Sequence, residues 1–308
     1  MIHVVTGGAG FLGSHLVDRL LHDNPHNRVV VLDNFFTGAY DNLTVDRHVE
    51  VVRHDVCVPF HVECDFIWHL ACPAAPVHYV RNPARTLRTA VLGTLNALDL
   101  ARETGARLLV ASTSEIYGDP TEHPQRESYQ GCVDPWALRS VYDEGKRAAE
   151  TACFAYAKQR NVQVRIVRIF NTYGPRMARS DGRVIPAFID AALHGKPIEL
   201  QNGGAQTRSF CYVDDLVDGL VRFMSSSVEG PVNLGNPCEV AVRDLAQQII
   251  DITKSTSSIV VADHPIGNDP QRRCPDIVRA RELLGWEPKV TLRDGLERMI
   301  AWAREAYR

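Results

Sequence analysis

The feature that most constrains this chain is a glycine-rich turn between an apolar run and a helical pattern near its start. Residues 4–13 read VVTGGAGFLG, in which Gly7, Gly10 and Gly13 have the spacing G-x-x-G-x-x-G. The first glycine permits a tight turn, the second lets the backbone approach a pyrophosphate, and the third lets a helix pack on a strand. Because the N–H groups that open a helix attract phosphate, the turn predicts a dinucleotide-binding site.

Short runs rich in Val, Ile and Leu alternate with helical patterns along the first two-thirds of the chain. Runs of this kind are typical of strands buried on both faces, and their alternation with helices predicts a doubly wound parallel (Rossmann) α/β sheet. The predicted strands are Ile2–Val5, Arg28–Asp33, Val49–Asp55, Asp65–Leu70, Arg107–Ser112 and Val162–Phe170. Two long helices are predicted, one with a buried face formed by Leu87, Val91, Leu95, Leu98 and Ala101, the other over Tyr142–Lys158.

The pattern changes after Tyr173-Gly174-Pro175, where helical segments become shorter and Gly and Pro more frequent. We therefore predict a dinucleotide-binding domain over 1–174 and a smaller substrate-binding region over 175–209 and 237–308. Residues 210–236 again read as helix and strand, as in Phe210–Phe223 and Val232–Gly235, and are expected to return to the first domain.

Asp33 indicates which dinucleotide binds. It closes the second predicted strand, twenty residues after Gly13, where its carboxylate can accept hydrogen bonds from the adenosine ribose. It would repel a 2′-phosphate, and the following Asn34, Phe35 and Phe36 offer no arginine to attract one. The sequence favours NAD over NADP, and tighter binding of NADP in calorimetry would contradict this.

Tyr142 and Lys146 stand four residues apart, which places them on one face of a helix. The pKa of a tyrosine is ordinarily about 10, and a neighbouring ammonium is expected to lower it so that the phenol can act as a base. Alone, this spacing also fits a solvated helix face. The dinucleotide pattern and the segment Ser112–Glu115, at the end of the fifth strand, favour a catalytic role.

Composition and charge narrow the possible functions. The chain has 308 residues, 45% hydrophobic, and a formal net charge of −3, so we expect no nucleic-acid partner. The absence of a long apolar stretch predicts a cytoplasmic protein that does not bind membranes. The eight cysteines form no C-x-x-C pair and no H-E-x-x-H pattern occurs, so we predict reduced thiols and no metal site.

Seven segments together resemble the extended short-chain dehydrogenase/reductases that act on nucleotide sugars, and more narrowly the UDP-glucuronate decarboxylases among them. Thr113-Ser114-Glu115 and Arg273 carry the narrower resemblance, since related 4,6-dehydratases have Asp before that Glu and 4-epimerases usually lack the Glu. The segments are Thr6–His15, Asp33–Gly38, Ala111–Pro120, Tyr142–Glu150, Arg168–Met177, Gln206–Asp214 and Asp269–Ile277.

The resemblance implies a set of site residues, a UDP-sugar substrate, NAD as cofactor and a homodimer formed by the two long helices. The residues that the resemblance implies for binding the sugar nucleotide are Ser114, Asn171, Arg208 and Arg273, with Arg208 opposite the diphosphate. Implied for NAD are Gly7, Gly10, Phe11, Leu12, Gly13, Asp33, Asn34, Phe36, Thr37, Gly38, Asp55, Val56, Leu70, Thr89, Tyr142, Lys146 and Arg183.

The resemblance also implies an oxidation, a decarboxylation and a reduction at one site. Tyr142, with Lys146 beside it, would take the proton of the sugar C4 hydroxyl, which Thr113 orients, while hydride passes to NAD. The resulting 4-keto acid loses CO2 readily, with its carboxylate positioned by Arg273. Glu115 would serve in acid/base chemistry near C5. Return of the hydride would give UDP-xylose.

Three departures from the family pattern leave alternatives open. Ala90 stands where Asn is usual, Cys274 where Lys is usual, and Gln201-Asn202 where Tyr-Gly is more common. Release of a UDP-4-keto-pentose before the final reduction is one alternative. A UDP-glucuronate 4-epimerase, a 4,6-dehydratase and a non-catalytic NAD-binding regulator are the others, and retention of Tyr142 and Lys146 argues against the regulator.

Overall fold

Seven parallel strands form the central sheet of the computed structural model, which describes residues 1–262 and 272–307. The strands of the described residues are β1 Ile2–Thr6, β2 Arg28–Asp33, β3 Val49–Arg53, β4 Phe66–His69, β5 Arg107–Thr113, β6 Val164–Ile169, β7 Thr172–Tyr173, β8 Ile198–Leu200, β9 Thr207–Ser209, β10 Cys211–Tyr212, β11 Pro231–Leu234, β12 Glu239–Ala241, β13 Ile259–Val261 and β14 Arg272–Arg273. The order in the central sheet is β11-β6-β5-β4-β1-β2-β3, which confirms the predicted doubly wound sheet.

Helices cover both faces of this sheet. They are α1 Phe11–Asp23, α2 Pro76–Arg81, α3 Pro83–Thr104, α4 Ser140–Arg160, α5 Val184–Leu193, α6 Val213–Ser225, α7 Val242–Thr253, α8 Val278–Leu284 and α9 Leu292–Ala306. Successive strand residues point to opposite faces, so Val4 and Leu108 lie in one hydrophobic core while Val5 and Leu109 lie in the other. Burial on both faces explains why the strands read as continuous apolar runs. None of the described helices is long and apolar enough to cross a bilayer.

The predicted buried face of α3 is partly wrong. Leu87 is 40% exposed, whereas the small residues Ala90, Gly93 and Ala97 are buried. A Cβ built on Gly93 would lie 2.8 Å from the Val56 side chain, so close approach of the helix requires a small residue there. The spacing of large apolar residues did not indicate this face of α3, because small residues make its contact with the rest of the protein.

Within the described residues, the strands outside the central sheet form three small sheets. β9 is the middle strand of a small sheet, β12-β9-β14, which places Arg273 in register with Arg208. β11 pairs with β6, so residues 231–234 return to the central sheet. α6 begins at Val213 and not at the predicted Phe210, because residues 211–212 pair with β7. The first three residues of the predicted motif Asp269–Ile277 lie outside the described residues.

Candidate active site

A cavity of about 980 Å³ runs along the carboxyl ends of the central strands, where ligands of doubly wound folds bind. Every predicted site residue lines it except two, Gly38 and Asp55. Gly38 packs behind the wall, where a Cβ would lie 2.9 Å from the carbonyl carbon of Ala9. The fold thus brings the predicted cofactor, substrate and catalytic residues to one cavity.

The glycine turn has the conformation that the sequence predicts. Gly7 has a positive φ of 71°, and a Cβ built there would lie 2.9 Å from the Ala71 backbone. A Cβ on Gly13 would lie 2.2 Å from the Gly7 carbonyl oxygen. α1 starts after Gly10 with no side-chain cap and no acidic residue in its first turn. Its first N–H groups therefore face the cavity without a competing anion, as a phosphate site requires.

Asp33 has a structural task that the sequence did not indicate. Its Oδ2 accepts a hydrogen bond from the N–H of Ala9, 3.0 Å away, and its Oδ1 accepts one from the N–H of Phe35 at 2.8 Å. Burial raises the pKa of Asp33, and these N–H donors act against that rise. Two oxygens offer about four lone pairs, so the carboxylate can hold the glycine turn and still accept from a ribose.

The residues Asn34, Phe35 and Phe36 include no arginine, but the structure brings one to this part of the cavity from elsewhere in the chain. Arg85 reaches it from α3, with its guanidinium carbon 4.3 Å from the centre of the Phe36 ring. Its Nη2 lies 3.7 Å from Asp55 Oδ2, an oxygen that also accepts a hydrogen bond from the Asn34 amide. Asp55 therefore balances the charge of Arg85, which local sequence around Asp33 could not reveal.

Tyr142 is buried against a second tyrosine that the sequence analysis missed. The rings of Tyr142 and Tyr79 stack with centroids 5.3 Å apart and planes 9° apart. The Lys146 ammonium lies 5.9 Å from the centre of the Tyr142 ring and donates to the carbonyl oxygen of Ala111 at 2.7 Å. Burial raises the pKa of Tyr142 well above its ordinary value, and a hydrogen bond with Thr113 only partly opposes this. In the protein alone the pKa of Tyr142 is therefore raised, in the direction opposite to that expected from Lys146.

Glu115 lies between two arginines. Its Oε1 accepts a hydrogen bond from Arg273, and its Oε2 accepts one from Arg139 Nη2 at 2.6 Å. Arg273 is 3% exposed and also donates to the carbonyl oxygen of Gly118, 2.8 Å away. Burial acts to raise the pKa of Glu115, but the charges of Arg273 and Arg139 outweigh it and hold that pKa below its usual range. Glu115 is thus an ionised carboxylate.

Arg139 and Asp143, which flank Tyr142, were not predicted as site residues. Arg139 stands three residues before Tyr142, a helical spacing that could have indicated a shared face. Asp143 is 7% exposed, and its Oδ1 is buried without a hydrogen-bond partner among the described residues. Burial, reinforced by the charge of Glu115, raises the pKa of Asp143 to about 7.

The far end of the cavity has polar groups suited to a nucleotide. Arg208 lines it from β9, and Asn171 lines it just beyond β6. Arg183 also lines the cavity, where Asp181 pairs with its guanidinium. The side-chain oxygens of Gln201 and Gln206 are buried without a partner in the described part of the chain, so each is an available acceptor.

The structure shows where two of the departures from the family pattern are packed. Ala90 is 1% exposed, and a Cβ built on Gly145 of α4 would lie 3.0 Å from its methyl group. Cys274 is 4% exposed and its thiol contacts the carbonyl oxygen of Pro237 at 3.3 Å, away from the cavity. Neither side chain replaces a group on the cavity wall, whereas Gln201 does.

Among the residues that the structure describes, one group of possible metal ligands lies together outside the cavity. One donor atom each from His123, Glu239 and Cys274 lies within 4.8 Å of the others. His123 already pairs with Glu239 at 2.8 Å, and Arg272 lies 3.4 Å from the same carboxylate oxygen. The positive charge of the Arg272 guanidinium disfavours binding of a metal cation at Glu239. The predicted absence of a metal site stays a prediction.

Comparison with known proteins agrees with this geometry. Residues 3–235 match the NAD dependent epimerase/dehydratase family. The chain belongs to this family. It is 53% identical over 299 residues to UDP-glucuronic acid decarboxylase 6 of Arabidopsis thaliana, covering 96% of this chain and 87% of that protein. It is 51% identical over 302 residues to UDP-glucuronic acid decarboxylase 1 of Danio rerio, covering 97% and 72%.

Solved structures share the whole fold. UDP-glucose 4-epimerase of Thermotoga maritima, with UDP-glucose, superposes with a TM-score of 0.91 at 27% identity over all of both chains. A mutant UDP-glucuronic acid 4-epimerase of Bacillus cereus, in complex with NAD and a fluorinated UDP-sugar, also gives 0.91, at 25% identity over all of both chains. The resemblance to nucleotide-sugar enzymes is confirmed, and the decarboxylases are much closer in sequence than these epimerases.

Proposed function

We propose that this chain is an NAD-dependent decarboxylase that converts UDP-glucuronate into UDP-xylose through a UDP-4-keto intermediate. The observation that carries the proposal is the buried Arg273–Glu115 pair in the cavity that also contains Tyr142. A buried guanidinium there suits a substrate carboxylate. The identity of about half the residues with UDP-glucuronic acid decarboxylases supports the same reaction.

The residues present fit NAD. The Gly7 turn leaves no room for a Cβ, the start of α1 is uncapped, and Asp33 is placed to accept from a ribose. When bound, NAD supplies reversible hydride transfer to and from the sugar carbon C4. Gly7 and Gly10 would border its pyrophosphate, Gly13 would keep α1 packed closely on the turn, and Tyr142 and Lys146 would lie against its nicotinamide riboside.

We assign the first proton transfer to Tyr142. The phenol oxygen would take the proton of the C4 hydroxyl as C4 is oxidised to a ketone, with Thr113 hydrogen-bonded to the same hydroxyl. Because burial raises the pKa of Tyr142 in the protein alone, positive charge brought by the bound cofactor and the ammonium of Lys146 must favour the phenolate.

Arg273 would then hold the C6 carboxylate, which has become β to the C4 ketone. The C5–C6 bond breaks, CO2 leaves, and the bonding electrons delocalise onto the C4 oxygen as an enolate. C5 next takes a proton, which we assign to acid/base chemistry at Glu115. Since two arginines keep Glu115 ionised, it has to take up a proton before it can deliver one.

Product analysis tests the reaction. Purified protein with UDP-glucuronate should release CO2, and nuclear magnetic resonance should identify UDP-xylose, with any UDP-4-keto-pentose visible as a separate species. Arg273→Lys keeps the charge but loses the planar fork, so decarboxylation should fall sharply. Unchanged substrate, or UDP-galacturonate as product, would reject the decarboxylase in favour of a non-catalytic protein or a 4-epimerase.

We also propose a homodimer formed by α3 and α4, in which Leu87 and Phe154 would be covered. Their exposures of 40% and 63% support this, because large apolar side chains exposed to water on one pair of packed helices mark a candidate interaction surface. Phe154→Glu should produce a monomer in analytical ultracentrifugation, whereas Arg293→Gln, on the exposed surface of α9, should not. An unchanged sedimentation coefficient for Phe154→Glu would place the interface elsewhere.

The remaining predictions on organisation and location also stay proposals. The pairing of β11 with β6 supports assigning 210–236 to the domain formed by 1–174, with 175–209 and 237–308 as the sugar-nucleotide region. All eight cysteines are free thiols, which supports a reducing, cytoplasmic location. Fractionation of cells expressing the chain would test the location.

A further inference from the structure

Arg139 connects the two elements that carry the acid/base groups. It caps the start of α4, where its carbonyl oxygen accepts a hydrogen bond from the N–H of Tyr142 at 3.0 Å. Its guanidinium reaches Glu115, which follows β5, and lines the same cavity. One residue therefore contacts the backbone of the proposed base and the carboxylate of the proposed acid/base group.

A charge count indicates why a second arginine is needed. In the structure, Arg273 and Arg139 both pair with Glu115. When a hexuronate binds, its C6 carboxylate adds a second negative charge beside Arg273. Arg139 restores a balance of two cations and two carboxylates. Without Arg139, Arg273 alone would pair with the two carboxylates, because Arg208 is expected to face the diphosphate, and protonation of Glu115 would relieve the repulsion.

We propose that Arg139 is a positioning residue that keeps Glu115 ionised and in place while Arg273 binds the substrate carboxylate. The inference rests on the proposed function, because it takes a substrate with a carboxylate on Arg273. Arg139 touches neither the sugar nor the cofactor in this role. It acts through Glu115, which has to stay ionised beside Arg273 until the substrate carboxylate has left as CO2, and which takes up a proton for delivery to C5 only then.

The charged and titratable groups around Glu115 determine in which direction its pKa changes when Arg139 is removed. Arg273, Arg139 and Arg208 stabilise the carboxylate, while Glu115 in turn raises the pKa of Asp143 and Tyr142. Removal of Arg139 takes away one of the stabilising charges, so the pKa of Glu115 rises. Arg139 also lowers the pKa of Asp143, so removal of Arg139 raises the pKa of both carboxyl groups.

Calorimetry measures the change in protonation of Glu115 on substrate binding, without turnover of the substrate. The NAD-loaded Tyr142→Phe protein, alone and combined with Arg139→Gln or Arg139→Lys, is titrated with UDP-glucuronate near pH 7 in buffers of different ionisation enthalpy, which gives the protons taken up on binding. We expect more proton uptake with Arg139→Gln than with the Tyr142→Phe parent, and uptake restored to the parent value with Arg139→Lys. UDP-glucose, which lacks the carboxylate, should show no such difference.

Kinetics give a second readout. With Tyr142 intact, Arg139→Gln should lower kcat at pH 7 by about 10- to 100-fold, leave KM within a few-fold, and move the acid limb of the kcat profile upward by about one pH unit. Arg293→Gln, which removes an exposed arginine–glutamate pair on α9, should match the wild type. Arg139→Met, which keeps the aliphatic stem, replaces Arg139→Gln if that variant does not fold.

Several outcomes overturn the inference. These are equal proton uptake in Arg139→Gln and its parent, the same extra uptake with UDP-glucose, an unshifted acid limb, or no restoration by Arg139→Lys. A wild type that releases CO2 while any of these holds refutes the role of Arg139 and leaves the proposed function standing. A wild type that releases no CO2 refutes the function, whatever the calorimetry shows.

Discussion

Alanine at two glycines of the cofactor turn should separate two roles that share one motif. In Gly13→Ala the new methyl group would lie 2.2 Å from the Gly7 carbonyl oxygen and 2.6 Å from Gly8 Cα. Both contacts are with backbone atoms, which cannot rotate away. In Gly10→Ala the nearest atom is the Gly7 carbonyl oxygen at 3.1 Å, and φ at Gly10 is −78°, which alanine adopts readily.

The expected magnitudes follow from these distances. Gly13→Ala should lower the free energy of unfolding by about 2–3 kcal/mol, because overpacking a close helix–strand contact costs about 1–3 kcal/mol and here only backbone can move. Gly10→Ala should change it by less than about 1 kcal/mol. Its methyl group would instead obstruct the pyrophosphate, so the affinity for NAD should fall by about tenfold or more, equivalent to about 1.4 kcal/mol.

Urea unfolding without ligand and calorimetric titration with NAD measure the two effects separately. Gly195→Ala is a suitable control, because its φ of 64° adds backbone strain but no atom lies within 4 Å of the new methyl group. Its NAD affinity should equal that of the wild type. Wild-type stability in Gly13→Ala, or wild-type NAD affinity in Gly10→Ala, would show that the roles assigned to these glycines are incorrect.

Three other predictions concern charge and chemistry in the cavity. Asp33→Ser should shift the preference from NAD toward NADP in calorimetry, because it removes the repelling carboxylate while Arg85 remains nearby, and an unchanged preference would contradict this. Tyr142→Phe should lower kcat by at least about a hundredfold while NAD affinity stays unchanged, so comparable CO2 release by this variant would reject Tyr142 as the base. Because burial raises the pKa of Asp143 to about 7, the folded state binds a proton more tightly than the unfolded state. Stability is then lost as the pH rises from about 4 to 7, and Asp143→Asn should be the more stable protein at pH 8 by about 2–4 kcal/mol, with a smaller difference near pH 4. Parallel stability curves for the two proteins would refute this.

Much of the fold was predictable because its signals are local. Each strand of the central sheet up to β6 was expected within two residues of its observed ends, since burial on both faces leaves a continuous apolar run. The tight turn at Gly7 was expected from the local spacing of the glycines. The family likeness is also local, since it depends on short segments such as Ala111–Pro120.

What the tertiary structure decided depends on residues far apart in the chain. Arg139 and Arg273 meet at Glu115, and Arg85 reaches Phe36 from another helix. No rule of sequence spacing links such positions, because they come together only when the strands and helices that carry them pack in the folded chain. Burial likewise reversed the expected direction for the pKa of Tyr142. The sequence by itself determined the sheet, the cofactor turn and the chemical groups, because these depend on near neighbours. Only the folded chain decided which charges share a low-dielectric cavity and therefore which protonation states the groups hold.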